Sequence, residues 1–109
     1  MSLIFDIGDT RFIGNHSSIA GSTPFRNAAG EDVDPTEVAL NVKRPDGTVV
    51  VYRWPTPLAG ELGLSREVMG RFYVPVKFLQ DGAYAWRLTS TGTVEETAQG
   101  EFYVRKDKA

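Results

Sequence analysis

The sequence predicts an all-β domain, a sandwich or a barrel, and two patterns support this prediction. The segment Val38–Trp54 holds two runs in which apolar and polar residues alternate, separated by the turn Pro45-Asp46-Gly47-Thr48. This is the pattern of a β-hairpin. Pairs of turn-forming residues recur at short intervals along the rest of the chain, as they do in folds built from short consecutive strands. With 109 residues, the chain is expected to form a single domain over residues 1–109.

The N-terminal part predicts two strands. The first is Leu3–Ile7, which has an apolar residue at every second position. The second is Ser17–Phe25, a weaker pattern because Gly21 and Pro24 interrupt it. The expected inward residues of this second strand are Ile19 and Phe25.

The hairpin supplies the third and fourth strands, Glu37–Arg44 and Thr48–Trp54. The four residues between Arg44 and Val49 place Val42 and Val50 over the same core and Trp54 at the far end of the pair. Because a Pro-Thr-Pro segment follows Trp54, we expect this side chain to be half exposed. The inward faces of the two strands are expected to be Val38, Leu40 and Val42, and Val50, Tyr52 and Trp54.

Three further strands bring the expected total to about seven. They are Arg71–Phe78, Ala83–Thr89 and Thr97–Arg105. The first contains Pro75, which cannot donate a hydrogen bond to a neighbouring strand, so we expect an edge or a bulge there. Trp86 lies at the centre of the next strand and is expected in the core between two sheets. Residues 105–109 are expected to form a short charged tail.

Residues 55–69 leave two alternatives open. Pro55-Thr56-Pro57 must leave the sheet, and the apolar residues that follow suit a long loop over the end of the core. The alternative is a short helix, because Ser65-Arg66-Glu67 resembles the start of a helical turn.

Composition excludes several classes of function. The chain has no cysteine, which rules out disulfides, thiolate metal sites and a cysteine nucleophile. The net charge is −2, and residues 105–108 contribute +2, so the rest of the chain is acidic and does not favour nucleic-acid binding. No apolar run is long enough for a membrane helix, and residues 1–20 do not resemble a signal peptide. We therefore expect synthesis in the cytoplasm and no membrane partner.

No catalytic residue and no cofactor site are expected. His16 is the single histidine, and a histidine beside serines in one short segment does not make a Ser-His-acid triad. It also has no second histidine or cysteine with which to bind zinc. Gly8 and Gly14 lack the sequence context of a phosphate-binding loop.

The acidic residues do not predict a metal site or an acid/base pair. Glu31, Asp32 and Asp34 lie in one loop, but the pattern of a calcium-binding EF-hand is missing, which favours a solvated turn. Glu95 and Glu96 are adjacent, so on a strand they point to opposite faces. Adjacent positions of this kind argue against glycoside hydrolysis.

Aromatic residues offer the one candidate binding surface. The chain has six Phe, four Tyr and two Trp, and core positions are expected for most of them. A sugar-binding face needs two or three exposed rings side by side. The candidates for such a face are Trp54, Tyr52 and Tyr73.

Five segments together resemble a known family, the small immunoglobulin-like proteins encoded among the structural genes of tailed bacteriophages. The resemblance lies in the order and spacing of the segments, and residues 55–69 have no counterpart. The motif residues are formers of turns, and we interpret them as structural: Gly8, Asp34, Pro35, Asp46, Gly47 and Gly82. The segments are Phe5–Thr10, Phe25–Thr36, Val42–Thr48, Gly82–Leu88 and Gly100–Val104.

The resemblance implies an immunoglobulin-like antiparallel β-sandwich with a structural role in the virion and no catalytic residues. Capsid decoration through contacts with the major capsid protein or other virion proteins is the first expectation, with or without self-association of the chain. A head–tail connector or tail component of the same fold is the alternative. A carbohydrate-binding β-sandwich module is an alternative from a different class.

Overall fold

The computed structural model describes residues 3–106 and confirms the prediction of an all-β sandwich. Within these residues, nine strands form two sheets. In chain order the strands are β1 (Leu3–Asp6), β2 (Thr10–Gly14), β3 (Glu37–Lys43), β4 (Val49–Trp54), β5 (Leu62–Gly63), β6 (Ser65–Val68), β7 (Arg71–Lys77), β8 (Gly82–Thr91) and β9 (Thr97–Arg105).

The two sheets differ in width. The large sheet has six strands in the order β1-β9-β8-β3-β4-β5, and the small sheet has three in the order β2-β7-β6. Neighbouring strands are antiparallel except β1 with β9 and β4 with β5, which are parallel. Because three strands face six, the small sheet leaves part of the inner face of the large sheet uncovered.

The core lies between the sheets and is built from alternate residues of each strand. On β3 the three predicted core residues are buried, with Val38 and Leu40 fully inaccessible. The other buried apolar residues come from both sheets and from the segments that connect them: Ile13, Phe25, Leu64, Phe72, Val74, Phe78, Tyr84, Leu88, Val94, Phe102 and Val104.

The predicted hairpin geometry is confirmed. Val42 pairs with Val50, and Trp54 pairs with Val38 at the end of the strands far from the turn. Within the turn, the Asp46 carboxylate accepts hydrogen bonds from the hydroxyl and the N–H of Thr48, at 2.7 and 2.9 Å. These hydrogen bonds lower the pKa of Asp46.

The second predicted strand is wrong. Residues 17–21 form turns instead, because backbone hydrogen bonds close locally, from the Ile19 N–H to the His16 carbonyl and from the Ser22 N–H to the Ile19 carbonyl. Residues 22–25 are irregular. Phe25 is nevertheless buried, as expected, and Ile19 is half-buried. The strand of this region lies earlier in the chain, at β2.

Residues 55–69 adopt neither of the two expected structures. Only residues 55–61 are a loop; the short strands β5 and β6 follow. Arg53 fixes the loop, because its guanidinium bonds to Glu61 on the loop at 2.6 Å and to Glu37 on β3 at 2.9 Å. Ion pairs between these three side chains therefore join the loop to the large sheet.

Pro75 lies in the central strand of the small sheet rather than in an edge strand. Its surroundings are nevertheless those of an edge, because β6 pairs only with residues 71–73 of β7. The Phe72 carbonyl and the Phe78 N–H both form hydrogen bonds on the β2 side of β7. Because the backbone polar groups of successive residues point to alternate sides of a strand, the nitrogen of Pro75 points to the opposite side, beyond the end of β6. The missing N–H therefore removes no hydrogen bond from the sheet.

Two further expectations change in detail. Trp86 packs against the core but is only half-buried, because the narrow small sheet does not cover it fully. At the C-terminus, Arg105 belongs to β9 and pairs with Asp6 of β1 at 2.7 Å, so it is not part of a tail. Residues 107–109 of the predicted tail lie outside the described residues.

Candidate binding surface

Three aromatic rings meet on the outer face of the small sheet, and we call them the aromatic patch: Phe12, His16 and Tyr73. The ring centroids of Phe12 and Tyr73 are 4.8 Å apart, and that of His16 lies 4.6 Å from each. These separations are those of favourable aromatic contacts. Phe12 is 42% exposed, so the patch is open to a binding partner.

Strand alternation explains why these rings face outward. Ile13 is buried on the inner face of β2, so Phe12 points to the opposite face. In the same way, Phe72 is buried on β7 and Tyr73 points outward. Gly14 pairs with Tyr73. Because glycine has no side chain, the aromatic rings can occupy the space on this face beside Tyr73.

A carboxylate borders the aromatic patch. Glu67 of β6 accepts hydrogen bonds from the hydroxyl of Ser17 and from its N–H, the latter at 2.8 Å. These hydrogen bonds lower the pKa of Glu67. The Oε2 atom of Glu67 also lies 3.4 Å from Nε2 of His16. The patch therefore has an apolar centre and a fixed anionic group at its rim.

The contacts of His16 include a serine as well as a carboxylate. The Ser18 N–H donates to Nδ1 of His16 at 3.0 Å, and the Ser18 hydroxyl lies 2.8 Å from the same nitrogen. A serine, a histidine and a glutamate are thus connected, as in a catalytic triad. Nδ1, however, already accepts the backbone N–H, and Glu67 is already bonded to Ser17. We interpret the arrangement as a clamp between residues 16–18 and β6, so a structural role for His16 stays a prediction.

Asn15 fixes the start of the segment that carries His16. Its side chain is buried, and Oδ1 accepts the N–H of Phe72 at 2.6 Å. The amide nitrogen of Asn15 donates to the carbonyls of Thr23 and Gly70, at 3.0 and 2.9 Å. One side chain therefore connects the end of β2, the irregular segment 22–25 and the start of β7.

The three predicted binding residues do not form one surface. Tyr73 belongs to the aromatic patch, whereas Tyr52 and Trp54 pack on the core from the inner face of β4. Trp54 is half-buried, and its ring centroid lies 4.8 Å from that of Phe72. Burial raises the pKa of Tyr52. A sugar-binding platform that combines Trp54 with Tyr73 is therefore not assembled in this structure.

Phe12 and His16 were not predicted as surface residues of this site. The run Thr10–Gly14 does not alternate clearly between polar and apolar residues, because Arg11 occupies an inward position of β2. The Arg11 side chain extends from between the sheets towards solvent. Its guanidinium carbon lies 5.1 Å from the ring centroid of Phe5.

The acidic residues of the loop 31–34 contact basic side chains and a backbone N–H group. Asp34 accepts hydrogen bonds from Arg66 and from the N–H of Gly70, both at 2.9 Å. Asp32 pairs with Arg26 at 3.1 Å. Within residues 3–106, no group of three His, Cys, Asp or Glu side chains is placed to bind a metal ion.

In the described part of the chain, no helix is long and apolar enough to cross a membrane. Comparisons with protein-family models, with curated proteins and with solved structures find no match to this sequence.

Proposed function

We propose that this chain is a structural protein of a tailed-phage virion, an immunoglobulin-like sandwich that decorates the capsid by binding coat subunits. The main support is the ordered set of five segments that resembles the phage family, together with two features of the fold that are typical of immunoglobulin-like domains.

The first feature is the strand order. In variable-type immunoglobulin domains one sheet contains strands in the order G-F-C-C′ and the other contains B-E-D. The orders β9-β8-β3-β4 and β2-β7-β6 correspond to these. The chain differs from that scheme at β1, which pairs with β9 in the large sheet.

The second feature is a tyrosine corner. Tyr84 lies near the start of β8, and its hydroxyl donates to the carbonyl of Gln80, four residues upstream, at 3.0 Å. Immunoglobulin domains have such a tyrosine at the E–F corner, two residues before the second cysteine of the inter-sheet disulfide. In this chain the position two residues later is Trp86, an apolar side chain in place of the disulfide.

The aromatic patch is the surface that we assign to the coat subunit. It combines a half-exposed phenylalanine, a tyrosine and a neighbouring carboxylate on an otherwise regular sheet face. Aromatic side chains give large contact areas at interfaces. Many copies that each bind weakly would remain on a capsid through multivalent attachment if neighbouring copies also touch each other.

The test is deletion of the gene from the phage or prophage that encodes it, followed by electron cryo-microscopy and mass spectrometry of purified particles. We expect the chain in wild-type particles and a missing density on the capsid surface of the deletion particles. Absence of the chain from purified wild-type particles would overturn the virion role. Tyr73→Ala should reduce occupancy on the capsid, whereas the matched control Tyr103→Ala, an exposed tyrosine on the large sheet, should not.

The same particles separate decoration from a head–tail or tail position. A copy number in proportion to the coat protein indicates decoration. A copy number that fits one ring, with density at the neck or tail, indicates the alternative component of the same fold.

The carbohydrate-binding alternative now depends on Phe12 and Tyr73 rather than on Trp54. Two neighbouring rings with a hydrogen-bonding rim suit stacking against a sugar. A glycan array with the unaltered chain and with Tyr73→Ala tests it. Binding that is lost in the variant would favour this alternative over capsid decoration.

A further inference from the structure

A cavity of about 400 Å³ opens between the two sheets, on the side where β1 and β2 are edge strands. We call it the inter-sheet cavity. Its walls are mainly apolar and include the side chains of Phe5, Ile13, Phe78, Trp86 and Phe102. This volume lies within the range of ligand pockets in proteins, which are typically apolar clefts with a few polar groups.

The unequal width of the sheets explains the cavity. β2 is the last strand of the small sheet, whereas the large sheet continues from β8 through β9 to β1. Trp86 is left half-buried at this place. Gly100 stands opposite Trp86 on β9, and a Cβ atom there would lie only 2.7 Å from the indole Nε1. The glycine thus lets the indole ring lie against β9 as part of the cavity wall.

The charged groups at the mouth favour an anion. Arg11 lines the cavity, and its guanidinium carbon lies 5.1 Å from the ring centroid of Phe5. The Arg11 side chain is 54% exposed, and its one ion pair among the described residues is a long contact of 3.7 Å with Asp9. The hydroxyls of Thr10 and Ser18 are the other polar groups along the lining. The Arg11 guanidinium therefore lies beside an apolar cavity and can pair with an anionic ligand.

We propose that the inter-sheet cavity binds a small amphiphilic anion. The apolar body of the ligand lies against Trp86 and Phe102, and its carboxylate or sulfonate pairs with Arg11. A charge-assisted hydrogen bond at the mouth fixes the orientation, while burial of the apolar body supplies most of the affinity. Phe12 belongs both to the cavity lining and to the aromatic patch, whereas Arg11, Trp86 and Phe102, which we assign to the ligand, lie outside the patch.

Trp86 provides a direct reporter for this proposal. The chain has two tryptophans, so Trp54→Phe leaves Trp86 as the single one. Titration of this variant with decanoate should change the Trp86 emission in a saturable way, with a stoichiometry of one. Two-dimensional NMR of the unaltered chain with the same ligand keeps the test independent of the Trp54 substitution and should map the shifts to the cavity lining.

Two comparisons test the role of the charge. Arg11→Gln should weaken decanoate binding by about tenfold or more, as expected for loss of a charge-assisted contact. The matched control Arg87→Gln removes the same charge from the outer face of β8 and should leave binding unchanged. Decanol should bind the unaltered chain about tenfold more weakly than decanoate.

Three outcomes would overturn the proposal. They are the absence of a saturable response in both the fluorescence and the NMR titrations, equal affinity of Arg11→Gln and the unaltered chain, and binding only to vesicles of anionic phospholipid without binding to monomeric decanoate. The last outcome would identify a membrane surface rather than a free amphiphile. None of these experiments involves a virion, so their failure would leave the proposed virion role standing.

Discussion

At the scale of single residues, the buried side chain of Asn15 makes three polar contacts with the backbone. Its amide group satisfies one backbone N–H and two carbonyls. Asn15→Leu leaves these three groups without their partner, so we expect a loss of about 2–4 kcal/mol in the free energy of unfolding, measured by urea denaturation. Asn41→Leu, on an exposed position of β3, is the control and should change stability by less than about 0.5 kcal/mol. Equal losses in both variants would show that the buried contacts are not decisive.

Tyr84 gives a second prediction at this scale. Its hydroxyl donates one hydrogen bond to the Gln80 carbonyl, while its ring packs in the core. Tyr84→Phe keeps the ring and removes the hydrogen bond, so the free energy of unfolding should fall by about 1 kcal/mol. Tyr103→Phe, at a residue that is 48% exposed, should be neutral in the same assay. A neutral Tyr84→Phe would remove the tyrosine corner as support for the immunoglobulin-like assignment.

At the scale of strands, the sequence predicts a strand best where its run of alternating apolar and polar residues is long and regular. β3 and β4 were predictable because several consecutive inward positions are apolar and a recognisable turn lies between them. β2 has only five residues, and Arg11 interrupts its apolar face. Its sequence pattern is therefore no clearer than that of the segments beside it. β5 and β6 have two and four residues; their pairing partners, rather than their own sequences, make them strands.

The aromatic patch was unpredictable for a related reason. It exists because Gly14 is in register with Tyr73, a pairing between residues far apart in the sequence. Tyr73 is one of the three predicted binding residues, but its neighbours on the face depend on which strand lies beside β7. Periodicity in one segment contains no information about that choice.

β2 also gives a prediction at the strand scale. Gly14 has φ +130°, and a Cβ atom at this position would overlap the carbonyl oxygen of Phe72. Gly14→Ala therefore combines backbone strain with a steric clash, and we expect a loss of at least about 2 kcal/mol in the free energy of unfolding. Gly63→Ala on β5 is the control, because its Cβ would meet no atom within 4 Å and its φ is not positive; it should be close to neutral. A neutral Gly14→Ala would contradict the pairing of β2 with β7.

At the scale of the whole molecule, stability should fall in acid because ion pairs connect separate elements. Hydrogen bonds from Arg53, and then from the Leu58 N–H, lower the pKa of Glu61 below its ordinary value of 4.5. A carboxylate whose pKa is lower in the folded state stabilises the fold above the unfolded-state pKa, and this contribution is lost as the pH falls through the folded-state pKa. The unaltered chain should therefore be more stable than Glu61→Gln near neutral pH, and the difference should shrink as the pH falls below 4.5 and disappear once the pH has passed the lowered folded-state pKa.

The measurement for this prediction is urea denaturation of both proteins across a pH series. Glu101→Gln, at an exposed position on β9, is the control and should follow the unaltered chain. A constant difference between Glu61→Gln and the unaltered chain at every pH would show that the charge of Glu61 is not the source of its effect.

Pro75 determines how the molecule behaves when many copies are crowded together. Beyond the end of β6, the backbone of β7 is open on one side, and this is where a strand of a neighbouring copy would join the small sheet. The proline offers no donor there and its ring occupies the space. Addition of a strand at this open side of β7 is therefore blocked at Pro75, which removes one route by which crowded copies could join through their sheets.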